Sequence, residues 1–369
     1  MKFMLSFLFI NILLYHNLII KAAFQTSIFS EVNSKKEGEN VILSPLSIFQ
    51  VLGLTANGAV GETQSEMVST LGESSIDTLN SVNYKLLQLI KNFVSVEIAN
   101  GVMSTFDPIK SFAKICDKYE APIEKLISVN QVNEWCSQKT HGKIPEIIDE
   151  LDPSIILLLL NAVYFRGEWT YPFNPERTYG GVFYNYGKEE KKVEIMTQTN
   201  RFMFYKDKEI QAVELPYKND SMSAVIILPN EEVDLNKYIN ENNLNDDYIN
   251  KILEGMDETS VKVSMPKFEV EFSMKLKEVL MNLGMVKAFG DADFSGINGE
   301  GGLSINNVIH KTYLKVDEIG SEAAAVTIVD VRSIAQEEIE INRPFILVIK
   351  SKELPKGNNF LFISKIEEI

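Results

Sequence analysis

Hydrophobic and polar positions along the chain sort into two rhythms. Spacing at three to four residues predicts helices at Phe24–Val32, Ser44–Asn57, Thr78–Asn92, Ile109–Tyr119, Val129–Thr140 and Met274–Leu283. Alternating or continuous apolar runs predict strands at Glu97–Met103, Ile155–Phe165, Ala212–Leu215, Met222–Leu228, Ser260–Met265, Glu338–Ile341, Phe345–Ile349 and Phe360–Ser364. Ile155 to Leu160 is apolar at every position, which predicts a strand covered on both faces. The clearest alternation lies at Ser321, Ala323, Ala325, Thr327, Val329 and Val331, all small or β-branched. The opposite parity, from Glu322 to Arg332, takes every charge in that stretch. This is the pattern of a half-buried strand with no Pro or interior Gly to stop it.

Composition narrows the class. The 369 residues are 45% hydrophobic, enough for a large core, and no Pro/Gly/Ser-rich linker or internal repeat divides them. A net charge of −15 argues against nucleic acid and anionic membrane as partners. Of three histidines only His141 and His310 lie beyond the N-terminal segment, and no nucleophile elbow, zinc-protease, Cys-x-x-Cys or phosphate-loop motif occurs. Neither a catalytic group, a metal site nor a cofactor is expected. Cys116 and Cys136 are the only cysteines and are expected unpaired, since a large core needs no such staple.

Residues 1–22 differ from the rest. Met1-Lys2 is a short positive start, Phe3–Leu14 is apolar apart from Ser6 and Asn11, and Ala22-Ala23 supplies small residues. The outline is that of a secretory signal peptide, with an apolar run too short to span a membrane, so a secreted protein is expected, with residues 23–369 as one domain. Asn219-Asp220-Ser221 is then a candidate glycan site.

Eight segments together resemble the serpin family: Asn40–Ile48 (NVILSPLSI), Val132–Ile148 (VNEWCSQKTHGKIPEII), Asn161–Trp169 (NAVYFRGEW) followed by Pro172-Phe173, Glu214–Tyr217 (ELPY), Val263–Phe268 (VSMPKF), Ala292–Ile297 (ADFSGI), Val308–Lys311 (VIHK) and Arg343–Phe345 (RPF). They stand in family order and span about residues 24 to 366. The resemblance implies an α+β fold with about three β-sheets and eight to nine α-helices, and an exposed reactive-centre loop at about 318–342. It implies a suicide substrate that traps a serine protease as an acyl-enzyme when the cleaved loop inserts into the central sheet. The runner-up is a non-inhibitory binding protein or chaperone on the same fold.

Site residues follow from the same resemblance. Glu318 starts the hinge, and Gly320, Ser321, Ala323, Ala324 and Ala325 are small and uncharged where the loop must go in first, which favours the inhibitory reading. For the opening of the sheet, Ser44, Ser47, Asn161 and His310 correspond to the polar cluster under its centre, and Trp169 to an aromatic beneath the loop's entry point. Counting from Glu318 sets the reactive bond at Ile334–Ala335; counting back from Arg343 favours Ser333, and a shortened loop would present Arg332. The first two suit an elastase- or chymotrypsin-like protease, the third a trypsin-like one. The region of the heparin helix of some serpins, Ser74–Lys91, has only Lys85 and Lys91, so no heparin site is expected, and the inhibitor is expected to act as a monomer. Ser364 departs from the family, which usually has Gly there, and the tail lacks the usual Asn-Pro.

Overall fold

The structure is a computed structural model that describes residues 24–93, 96–152, 155–218, 221–242, 244–321 and 336–369. The N-terminal segment, Asn219, and loop residues 322–335 lie outside them, and so do Ala323, Ala324, Ala325, Arg332, Ser333, Ile334 and Ala335.

The chain runs α1 (Phe24–Lys35), β1 (Val41–Leu43), α2 (Pro45–Ala56), α3 (Gly61–Thr70), α4 (Ile76–Ile90), β2 (Val96–Ser104), α5 (Lys110–Lys118), β3 (Ile123–Lys125), α6 (Val129–Lys139), β4 (Leu157–Phe165), β5 (Gly167–Glu168), β6 (Tyr179–Asn185), β7 (Glu189–Lys206), β8 (Ile210–Pro216) and β9 (Met222–Pro229). It continues α7 (Leu235–Asn242), α8 (Asp246–Glu254), β10 (Asp257–Pro266), β11 (Phe268–Lys275), α9 (Lys277–Asn282), α10 (Ser295–Asn298), β12 (Ile309–Val316), β13 (Gly320–Ser321), β14 (Glu337–Glu340), β15 (Phe345–Ser351) and β16 (Phe360–Ile366).

Ten α-helices thus occur among the described residues, more than the eight to nine expected. The helix expected at Met274–Leu283 begins only at Lys277, because Met274 and Lys275 ladder with His310 and Ile309 at the end of β11.

One sheet has nine strands in the order β1-β16-β15-β9-β8-β7-β10-β14, with β6 on β7. Every residue of β9, β15 and β16 is buried, including the polar or charged Ser223, Lys350, Ser351, Ser364 and Lys365. Ser364 sits there fully buried between Ile42 and Leu347. Behind β16 lies α2, started by Pro45 and buried along all twelve residues.

The second sheet is split. One half is β3-β2-β4, the other β11-β12, and β12 runs beside β4 with no ladder between them. A third, two-residue pairing joins β13 to β5. Across β4 the all-apolar run serves two cores: Leu157 and Leu159 pack on the main one, Leu158 and Leu160 on a smaller cluster with Val132, Trp135 and Cys136 of α6. Both faces are therefore met, as expected, yet Leu157 to Leu159 stay half-buried and Ile156 is exposed.

Candidate functional site

The site is the seam between β4 and β12. Beneath its centre, two serines three residues apart at the start of α2 reach one lip each. Ser47 Oγ donates to Asn161 Oδ1 on β4, and the Ser44 N–H donates to His310 Nε2 on β12 at 3.1 Å. Asn161 in turn donates to Asn100 Oδ1 of β2 at 2.9 Å, its register partner. Accepting at Nε2 requires a neutral His310 ring with its proton on Nδ1, and complete burial pushes its pKa down to about 4. The next downward residue, Thr312, donates to the Ile42 carbonyl at 2.7 Å. Ser44, Ser47, Asn161 and His310 are thus brought together; Trp169 is not among them.

Trp169 lies instead at the upper end, under the chain that leaves β12. Its Nε1 donates to the Asp317 carbonyl at 3.0 Å and its N–H to the Ile319 carbonyl at 2.8 Å, while its ring stacks on Tyr217 at 4.6 Å. Asp317 closes a turn, its Oδ1 accepting from the Ile319 N–H at 3.0 Å and its own N–H donating to the Gly320 carbonyl at 2.8 Å. A side chain at Gly320 would collide with the Gly167 carbonyl, so only glycine lets β13 lie this close to β5.

Glu318 is mostly buried here. Its Oε1 accepts from Thr178 Oγ1 at 2.8 Å and stands 3.3 Å from Lys267 Nζ, and its carbonyl accepts the Phe173 N–H at 2.8 Å. Burial pushes the Glu318 carboxyl up, but Thr178, its own backbone and Lys267 outweigh that and hold it below the usual glutamate value. Lys267 is shared with Glu194 at 3.2 Å. Lys267, Thr178 and Asp317 were not singled out in the sequence; the Lys267 signal was available, since it stands inside VSMPKF.

Above the seam lies a strap made of α6 and the residues after it. Trp135 covers Gly101 of β2 so closely that a Cβ there would meet its ring at 2.8 Å. Asn133 holds Ile147 and Ile148 through their backbones. On the upward face of β12, Lys311 Nζ donates to the Glu146 carbonyl at 2.7 Å, and Lys143 Nζ stands 5.4 Å from the Tyr313 ring centre. The strap thus crosses from one half-sheet to the other.

His310 faces a backbone amide, and burial pushes the Cys116 and Cys136 thiols up to about 12 and about 11; both are free and buried. Among the described residues no cluster of three or more His, Cys, Asp or Glu could hold a metal, and no helix is long and apolar enough to cross a membrane.

A split sheet with a short strand leading out of its upper end is a distinctive geometry, and comparison with known proteins assigns it. The family model described as Serpin (serine protease inhibitor) matches residues 20–369. The chain is a serpin. It is 36% identical to intracellular coagulation inhibitor 2 of Tachypleus tridentatus over 358 residues, covering 90% of this chain and 86% of that one. The native-state structure of the thermophilic serpin tengpin superposes with a TM-score of 0.85 at 32% identity, covering 95% and 93% of the two chains. Human thyroxine-binding globulin in complex with thyroxine superposes equally well, TM-score 0.85, at 26% identity over 96% and 99%.

Proposed function

We propose that this serpin inhibits a serine protease as a suicide substrate. The protease would acylate itself on the loop at Ile334, with Ser333 or Arg332 as the alternative residue, and the freed loop would enter the seam before water releases the enzyme. The observation that carries this reading is the unladdered seam between β4 and β12, with β13 leaving from its upper end. Two facing strand edges without partners are what an added strand requires. The hinge residues Gly320, Ser321, Ala323, Ala324 and Ala325 supply small side chains for it, and Glu318 marks where the hinge begins. Domain limits of 23–369 and action as a monomer belong to the same proposal.

The match to an inhibitor of coagulation supports the class of activity. The likeness to thyroxine-binding globulin supports the second reading, a binding protein on the same fold. Incubation of the purified chain with elastase, chymotrypsin and trypsin separates them. An adduct that survives denaturant is expected, and the mass of the released C-terminal peptide identifies the cleaved bond. Clean cleavage by all three without adduct would count for the binding protein.

Export is proposed from residues 1–22 alone, and the name of the Tachypleus tridentatus relative, an intracellular inhibitor, leans the other way. Expression in a eukaryotic cell line decides it: secretion predicts a chain in the medium that starts near Ala22 or Ala23, and retention in the cell with Met1 intact would overturn it.

A further inference from the structure

Two buried hydroxyls stand at the foot of the seam without a bond of their own. Ser44 is the N-cap of α2, a place where a serine hydroxyl ordinarily accepts from the first turn, yet its side chain makes no such bond. Ser364 of β16 stands where serpins usually have glycine, and it is fully buried. Neither Oγ has a hydrogen-bond partner among the described residues. The sheet sets the two side by side. Ile42 of β1 is the register partner of Ser364, and Ser44 follows Ile42 by two residues, so the serines are diagonal neighbours across the antiparallel β1–β16 ladder. β16 turns Ser364 to the side of Phe362, whose ring meets Phe165 of β4 at 5.9 Å, and sends Lys365 the other way, to the Lys36 carbonyl and Asn236. Ser364 therefore faces the side on which α2 and β4 lie. Diagonal neighbours stand about 7–8 Å apart, somewhat less at Cβ. Two hydroxyls turned towards each other span roughly 5 Å, which one shared water closes at about 2.7–2.8 Å to each.

We infer that Ser364 is a positioning residue of the opening cluster: one buried water bridges its Oγ to Ser44 Oγ and ties β16, through the N-cap of α2, to the His310 lip. Its effect on trapping rests on the inhibitory reading above. A buried hydroxyl left unpaired is costly, and ordered water satisfies such groups where two or more polar atoms converge. Each serine both donates and accepts, so the pair supplies two of the two to four partners that a buried water takes, by the usual range of about three. The tie acts through the Ser44 backbone. It fixes the start of α2, so that the Ser44 N–H stays on His310 Nε2 while the seam is closed. Glycine at 364 would have no hydroxyl to share, so this chain holds its seam closed more firmly than a glycine version would.

The test is a double-mutant cycle of Ser44→Ala and Ser364→Ala. It is read by the unfolding constant in denaturant and by the rate of adduct formation at saturating protease, beside a high-resolution crystal structure of the natural chain. Each single variant should unfold about fivefold more readily, and the double variant about fivefold as well, because either loss removes the same bridge. All three should form adduct faster by one common factor, and Ser364→Gly should share it. Density for one solvent atom bonded to both hydroxyls is expected. Single effects that multiply in the double variant, single variants that match the natural chain, or hydroxyls bonded to other groups in the crystal would each overturn the bridge. Coupled stabilities with unchanged adduct rates would overturn the positioning role. Coupled stabilities with no adduct from any protease would remove the inhibitory reading and leave the bridge in place.

Discussion

The two ends of the seam are held by opposite chemistry. At the centre the contacts are neutral and mostly buried: two buried serines, a half-buried asparagine and a buried, uncharged imidazole. At the upper end a charged carboxylate is gripped by Lys267 and Thr178 at the rim of solvent, the lysine side chain about one-third exposed. A neutral hydrogen bond buried away from water costs most when one partner is removed, whereas an ion pair at the rim is screened and worth little by itself. The centre should therefore govern stability, and the rim should govern how readily the chain leaves β12 to enter the seam.

Cutting the loop is the largest perturbation, since it frees the chain from the upper end while the centre keeps its partners. Burying roughly six side chains as a new strand is worth on the order of 5–10 kcal/mol, and its backbone bonds add a similar amount. The cleaved chain is expected to melt some tens of degrees above the intact one, measured by calorimetry before and after limited proteolysis; an unchanged melting temperature would mean no insertion.

Acid tests the centre next. The folded pKa of His310 is depressed from 6.5 to about 4, so its contribution is whole above pH 6.5 and fades as the pH falls towards 4. The loss is on the order of 3 kcal/mol. Asp246 of α8 works against it. Its carboxyl accepts from Gln25 at 2.8 Å, and burial raises it from 3.8 to about 6, so its contribution is whole below pH 3.8 and lost above 6. Denaturant titrations at pH 4 to 7 should show a steeper acid loss in Asp246→Asn than in the natural chain, and a shallower one in His310→Gln.

At the rim, Glu318→Gln removes one half-screened charge and should cost only about 1 kcal/mol, less at high salt. Its larger effect is expected on inhibition stoichiometry, as the strand leaving β12 is held less well. A stability loss larger than that of His310→Gln would reverse the ranking of the two ends. Smallest of all, Lys311→Met removes the bond to the Glu146 carbonyl and should lower the melting temperature by a degree or two. Faster adduct formation in stopped-flow would show the strap resisting insertion, and an unchanged rate would show that it does not.

Strands with long apolar runs, such as residues 224–229 and 345–349, were legible because burial on both faces leaves nothing polar in those stretches. β7 was not, since its 18 residues go from exposed Glu189–Lys192 to a half-buried end and hold no single period. β12 hides its alternation behind His310 and Thr312, polar residues on the buried face. α8 carried a legible start, Asn245 capping Tyr248 ahead of Asp246 and Asp247, that periodicity alone passed over. At the site, the family motifs supplied Ser44, Ser47, Asn161 and His310. They also set Trp169 apart, beneath the entry of the loop, but not its partners, the backbone carbonyls of Asp317 and Ile319, which no side-chain pattern records.

Two strands on the β1 side of the nine-stranded sheet, β15 and β16, are also the last to leave the ribosome. β1 has been made more than three hundred residues before its partner β16 exists, and β9 more than a hundred before β15. At about 5–20 residues per second, β1 waits at least some fifteen seconds with one edge bare. The growing chain must therefore carry β1 apart from the rest of its sheet and β9 with one edge unpaired, both open to chaperones and to other chains. A truncation that removes only Phe360–Ile369 should leave a product that never becomes soluble, although the seam and the loop would both be encoded in full.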